Sequence, residues 1–143
     1  MDDDTGRTSR VIRLARHLEL ARRDVLASRD LDIWEYDVLA ALRAAASPHE
    51  LSPGALVIET QVASGTMTNR VDRLSRRGYV TREPDPDDRR GVLVRLTVSG
   101  RRKIDLVAAD LAEAEAFAWH QLGARKSGQL DAVVTELIAH LES

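Results

Sequence analysis

The middle of the chain carries helix-start, helix-stop and strand signals so closely spaced that it has room only for two short helices and a hairpin. Ser52 followed by proline favours a helix start, and Ser64 is predicted to cap a second helix that ends at Gly78. The runs 79–82 and 92–96 are rich in β-branched and apolar residues, and a Pro/Asp/Gly-rich connector joins them. This segment is therefore predicted to be a helix-turn-helix followed by a two-stranded wing.

On both sides of this segment, apolar residues recur at three- and four-residue spacing, which predicts amphipathic helices. The predicted helices span 9–28, from an N-cap at Asp32 to Ser47, from Thr97 or Ser99 to near Gly123, and from Ser127 or Gly128 onward. Cores of this kind can be built from aliphatic residues, which suits a chain with 43% hydrophobic but only 3% aromatic residues.

The charge is unevenly distributed along the 143 residues, although the net charge is only -2. Residues 61–102 hold 10 Arg against five acidic residues, a net charge of +5. The preceding residues 1–60 carry a net charge of -3, and residues 103–143 carry -4. The basic segment coincides with the predicted helix-turn-helix and wing, as expected of a protein that binds duplex DNA.

The predicted fold class is mainly α with a small two-stranded β wing, a winged helix-turn-helix with N- and C-terminal dimerisation helices. The length fits a single domain over 1–143, with residues 47–100 as the DNA-binding lobe. The segments 8–46 and 101–143 are predicted to dimerise, because their apolar stripes exceed what the small lobe can cover. A two-fold dimer would present two recognition helices to one DNA site.

Several function classes are excluded or disfavoured by composition. The chain has no Cys, so disulfides and thiolate zinc sites are excluded, and we expect a cytoplasmic protein without a signal or membrane segment. No nucleophile-elbow, P-loop, dinucleotide-binding or zinc-protease motif occurs, and the four His are isolated in the sequence. We therefore expect no enzyme, no catalytic residue, no cofactor and no metal site.

The second predicted helix of the helix-turn-helix presents small and polar side chains opposite its apolar stripe. Arg and Asn can hydrogen-bond base edges, whereas Ser and Thr hydroxyls near a helix N-terminus suit phosphates. An ordinary solvated helix face is the alternative. The candidate DNA contacts on this helix are Ser64, Thr66, Thr68, Asn69, Arg73 and Arg76.

The predicted wing tip adds Arg89 and Arg90 to the candidate DNA contacts, although three acidic residues surround them. We expect Asp87 to brace Arg89 so that its guanidinium projects into a minor groove, where narrow A·T tracts concentrate negative potential. The alternative is a solvated charged turn.

A second candidate site is formed by Asp37, Arg70 and Arg82. Arg70 lies beside the apolar stripe of its helix, so we expect it to need an anionic partner, which Asp37 could supply and Arg82 could approach. The cluster is interpreted either as a ligand and relay site or as a structural salt bridge, because buried charges must be paired in both cases.

Three strings together resemble the MarR family of winged helix-turn-helix transcription regulators: LSP at 51–53, SGTMTNRVDRL at 64–74 and DPDDRRGVLVRLT at 85–97. The resemblance extends over essentially the whole chain. It implies a homodimer built from intertwined N- and C-terminal helices. It also implies binding to a pseudo-palindrome and, usually, repression until a small molecule loosens the complex.

Within that family, the 64–74 string is most similar to the urate-responsive branch. In that branch, residues matching Asp37, Arg70 and Arg82 are proposed to bind ligand and to relay its presence to the recognition helix. The branch usually carries an extra N-terminal helix with a ligand-contacting Trp, whereas no Trp precedes Trp34 here. The resemblance therefore implies an anionic ligand but does not single out urate.

The predicted function is a ligand-responsive DNA-binding transcriptional regulator. It is expected to be a homodimeric repressor that an unidentified small anionic or aromatic molecule releases from a pseudo-palindromic operator. The alternative is a non-sensing architectural winged-helix protein, which would bind DNA without a defined operator. A small enzyme using the Asp37 cluster is a further alternative, for which the sequence offers no nucleophile.

Overall fold

The computed structural model describes residues 3–143, and over that range the chain forms six helices and three short strands. The elements are α1 Asp4–Ala27, α2 Ile33–Ala44, β1 Glu50–Leu51, α3 Pro53–Thr60, α4 Ser64–Arg76, β2 Val80–Pro84, β3 Val92–Leu96, α5 Val98–His120 and α6 Gly123–Leu141. The chain divides into two compact units, one reaching to Ala108 and the other running from Ala109 to Ser143. This architecture confirms the predicted winged helix-turn-helix fold.

The wing contains one strand more than the sequence predicts. β2 and β3 form the expected antiparallel hairpin, and β1 pairs with the other edge of β3, so the order is β1-β3-β2. Glu50 pairs with Arg95 in register, and their side chains form an ion pair with the Glu50 Oε2 atom 2.8 Å from Arg95 Nε. A strand of two residues is too short to show an alternating pattern, which explains why no local signal marks it in the sequence.

The core of the first unit is aliphatic and is contributed by every one of its helices and by the wing. Leu26 of α1, Leu39 of α2 and Leu56 of α3 are fully buried. Met67, Val71 and Leu74 form the buried stripe of α4 that the spacing predicted. Because α4 is held through this stripe, its opposite face is fixed in orientation and remains exposed.

Most predicted helix ends are confirmed, but the prediction that Ser64 caps α4 is wrong. Ser52 caps α3 by accepting a hydrogen bond from Ala55 N at 3.1 Å, and Asp32 precedes α2 in a capping box with Glu35. Gly78, at φ +78°, follows α4 in the left-handed conformation that ends helices. The N-cap of α4 is Ala63, however, because its carbonyl accepts the first helical hydrogen bond, from Met67 N at 3.0 Å.

Two terminal helices are longer than predicted. α1 begins at Asp4, since the Asp3 carboxylate accepts a hydrogen bond from Gly6 N at 2.8 Å and caps the helix there. α6 begins at Gly123, four residues before the predicted Ser127. Thr97 is confirmed as the residue that opens α5, because its hydroxyl accepts from Gly100 N at 2.9 Å. Within residues 3–143, no helix is both long and apolar enough to cross a bilayer.

Candidate nucleic-acid interface

All six side chains predicted to contact DNA from this helix lie on the exposed face of α4. Ser64, Thr66, Thr68, Asn69, Arg73 and Arg76 are exposed. Gly65 lies among them, and a Cβ atom added there would meet no atom within 4 Å, so this position also faces open space. The face combines donors for phosphates with the longer Asn and Arg side chains that reach base edges.

The wing tip also exposes Arg89 and Arg90, but its acidic residues have a different role from the one predicted. In the described part of the chain no ion pair joins Asp87 to Arg89. Instead, Asp85 Oδ1 accepts from Asp87 N at 2.9 Å, and Asp88 Oδ1 accepts from Arg90 N at 3.0 Å. The acids therefore hold the backbone of the turn and leave both guanidinium groups free to project.

Arg82 pairs with Asp72, and not with Asp37 as the sequence suggested. Its Nη2 atom is 2.5 Å from Asp72 Oδ1, so it joins β2 of the wing to α4. The pair lies where β2 approaches α4, and both side chains are partly exposed to solvent. The expectation that Arg82 approaches Asp37 is wrong for this structure, because Asp72 on the neighbouring helix offers a nearer carboxylate.

Asp37 and Arg70 do come together, in an open cleft of about 410 Å³. Burial raises the pKa of Asp37, and the nearby positive charges of Arg22 and Arg70 oppose that rise. The cleft is lined by Glu19, Arg23, Asp32, Ile33, Trp34, Asp37, Thr60, Val62 and Arg70. With three carboxylates but only two guanidinium groups, this lining suits a ligand that offers N–H donors as well as acceptors.

The sequence missed a buried ion pair at the C-terminal end of α4. Glu35, only 4% exposed, accepts a hydrogen bond from Arg77 Nη1, and Arg77 Nη2 also donates to the Asp30 carbonyl at 2.7 Å. Burial lowers the pKa of Arg77, but the hydrogen bond and charge of Glu35, together with Tyr79 and Asp30, raise it above its ordinary value. The capping-box pattern could have identified Glu35, whereas no local signal marks Arg77, 42 residues away.

The fold and the exposed basic face of α4 and the wing define a winged helix-turn-helix protein of the kind that regulates transcription. Residues 29–91 match the model of the MarR family. The transcriptional regulator PecS of Dickeya dadantii is 31% identical over 136 residues, which is 95% of this chain and 80% of that protein. The chain belongs to the MarR family, which confirms the resemblance drawn from its motifs.

Two further proteins are similar to this chain. The multiple antibiotic resistance protein MarR of Escherichia coli is 38% identical over 77 residues, about half the length of either protein (54% and 51%). A cysteine-to-serine mutant of that protein in complex with operator DNA superposes with a TM-score of 0.79 at 26% identity, over 90% of this chain and 91% of that one. AbsC from Streptomyces coelicolor shares the fold, with a TM-score of 0.89 at 20% identity over 99% and 96% of the two chains. The matched relatives PecS and MarR are regulators, which confirms that the chain is no enzyme.

Proposed function

We propose that this regulator binds duplex DNA, with α4 in the major groove and the wing tip in the adjacent minor groove. One observation carries the proposal. Every candidate contact residue on α4 and the wing is exposed, whereas the apolar side chains that pack these elements into the core are buried. Arg89 and Arg90 would enter the minor groove, and Asn69, Arg73 and Arg76 would face the major groove. The operator complex of the Escherichia coli protein, 26% identical, supports this geometry.

The regulator is proposed to act as a homodimer. In the first unit, α1 exposes Val11, Ile12 and Leu14, each at 47% or more. In the second unit, α6 exposes Leu137 at 56%, together with Val133, Val134, Ile138 and Leu141. Apolar faces of this extent are typical of surfaces that a partner covers. A dimer with its recognition helices about 34 Å apart would recognise a pseudo-palindrome.

The effector is proposed to be a small aromatic molecule that occupies the cleft lined by Trp34, Asp37 and Arg70, which we call the effector cleft. Its binding is proposed to release the operator, so that the regulator represses. Asp37 would accept a hydrogen bond from an N–H or O–H group of the ligand, and Arg70 would donate to an acceptor or acidic oxygen. The Trp34 ring lines the same cleft and offers a stacking surface. A heteroaromatic or phenolic acid meets these requirements better than a simple inorganic anion, since carboxylates outnumber cations in the lining.

Selection from a random pool of duplexes tests DNA binding directly. Purified protein is expected to enrich an inverted repeat, with each half-site contacted by one recognition helix. Binding to the enriched duplex is then measured as a function of salt with unrelated DNA as competitor, because affinity without a salt series and a competitor does not establish specificity. Recovery of no common sequence, with only salt-sensitive binding to all duplexes, would instead support an architectural protein.

The enriched duplex then serves to test the effector. Urate, phenols and aromatic carboxylates are titrated into the complex, and at least one is expected to release the DNA from the wild-type protein. Asp37→Ala is expected to change this response more than it changes affinity for DNA alone, since Asp37 lines the cleft and not the exposed face of α4. Retention of the complex at saturating concentrations of every compound would overturn the proposed ligand response while leaving DNA binding established.

A further inference from the structure

The indole ring of Trp34, at the start of α2, is contacted by two arginines of α4. The guanidinium carbon of Arg70 lies 5.5 Å from the ring centroid, and that of Arg73 lies 4.8 Å from it. Both distances fall within the range of about 6 Å over which a cation is attracted to an aromatic face. Because the two arginines are three residues apart on one helix, they are neighbours on its surface and can reach the same ring.

The two arginines face different clefts. Arg70 lines the effector cleft, together with Trp34 itself. Arg73 lines a second cleft of about 440 Å³ that also contains Arg76, on the side of α4 proposed to face DNA. Asp32, two residues before Trp34, lines both clefts. Trp34 therefore lines one cleft and contacts an arginine that lines the other.

We propose that Trp34 is a positioning residue that holds the Arg73 guanidinium ready for its DNA contact. An arginine side chain has many rotamers, and restricting them before binding lowers the entropic cost of the contact. Because the same ring lines the effector cleft, an aromatic ligand that stacks on it would compete with the arginines for the indole face. This inference rests on the proposed DNA-binding function. It adds that Trp34 links the occupancy of the effector cleft to the position of Arg73.

A double-mutant cycle tests this role, using the duplex enriched by the wild-type protein. Trp34→Leu keeps an apolar side chain but removes the aromatic face, and it is expected to weaken binding roughly two- to fivefold. In an Arg73→Ala background the same substitution is expected to have no further effect, because the group that Trp34 positions is gone. In an Arg76→Ala background it is expected to keep its full effect, since within residues 3–143 the ring makes cation–π contacts with Arg70 and Arg73 but not with Arg76.

Trp34→Phe is the control for a loss of folding, because it preserves packing and keeps a weaker aromatic face. Its affinity is expected to lie between those of the wild type and Trp34→Leu, with unchanged helix content by circular dichroism. Equal losses from Trp34→Leu in the wild-type and Arg73→Ala backgrounds would overturn the positioning role while leaving DNA binding intact. A wild-type protein that enriches no duplex would overturn the proposed function, and this inference with it.

Discussion

Removal of the Arg77 side chain should destabilise the folded protein more than the loss of any other charged side chain on α4 or at its C-cap. Arg77 Nη1 donates to the Glu35 carboxylate, and the Arg77 side chain is 29% exposed while that of Glu35 is only 5% exposed. In an Arg77→Ala variant, Glu35 would keep the hydrogen bond from Asp32 N at 3.1 Å but lose the guanidinium that neutralises it. In the variant, the Glu35 carboxylate would therefore be a charge with little access to solvent and without that counter-ion.

The expected cost follows from the exposure of the two partners. Breaking a buried ion pair costs about 3–5 kcal/mol, and the partial exposure of Arg77 places the loss near the lower end, about 3 kcal/mol. This corresponds to a decrease in Tm of roughly 6–12 °C for a chain of this size. Urea denaturation at one fixed protein concentration measures the loss, since the stability of the proposed dimer would depend on concentration.

Arg76→Ala is the matched control, because it removes the same side chain from the adjacent, exposed position and should cost within about 0.5 kcal/mol. Adding Glu35→Gln to Arg77→Ala should restore about 1 kcal/mol or more, since the double variant retains the capping acceptor but buries no unpaired charge. An Arg77→Ala variant as stable as Arg76→Ala, or a double variant no more stable than Arg77→Ala, would refute the predicted role of the ion pair.

Three further predictions concern the wing, the effector cleft and the packing of α5. Arg89→Ala should weaken binding to the selected duplex about tenfold without lowering Tm, and wild-type affinity would contradict the wing assignment. Asp37→Asn should stabilise the protein at pH 7. Because the pKa of Asp37 is raised in the native state, its carboxyl group favours folding at low pH and loses this contribution as the pH rises through that pKa. The gain should shrink as the pH falls toward the ordinary value of 3.8, and a gain independent of pH in urea denaturation would contradict this cause. Gly100→Ala should cost about 3 kcal/mol, since its Cβ would lie 2.0 Å from the Tyr79 carbonyl oxygen, whereas Gly128→Ala, with open space around it, should be neutral or stabilising by calorimetry.

Local features of this protein could be predicted from the sequence because they depend on neighbouring residues. The stripe of Met67, Val71 and Leu74 follows from helical spacing and fixes which face of α4 is exposed. Ser52 and Asp32 mark helix starts through bonds that span three residues. The family motifs combine such local signals, so the fold, the exposed face of α4 and the class of protein could all be assigned from the sequence.

The placement of charged side chains depended on the tertiary structure. Arg82 and Asp37 are 45 positions apart in the sequence, and only the packing of β2 beside α4 shows that Asp72 is the partner of Arg82 instead. The wing acids likewise accept from backbone N–H groups whose directions are set by the turn.

The Glu35–Arg77 pair and the contacts of Trp34 with α4 join segments distant in sequence, and no periodicity encodes them. A long, flexible cation such as arginine can reach several acceptors from one backbone position. Its partner is therefore decided by which carboxylate or ring the folded chain brings within reach, and by how much water remains between them.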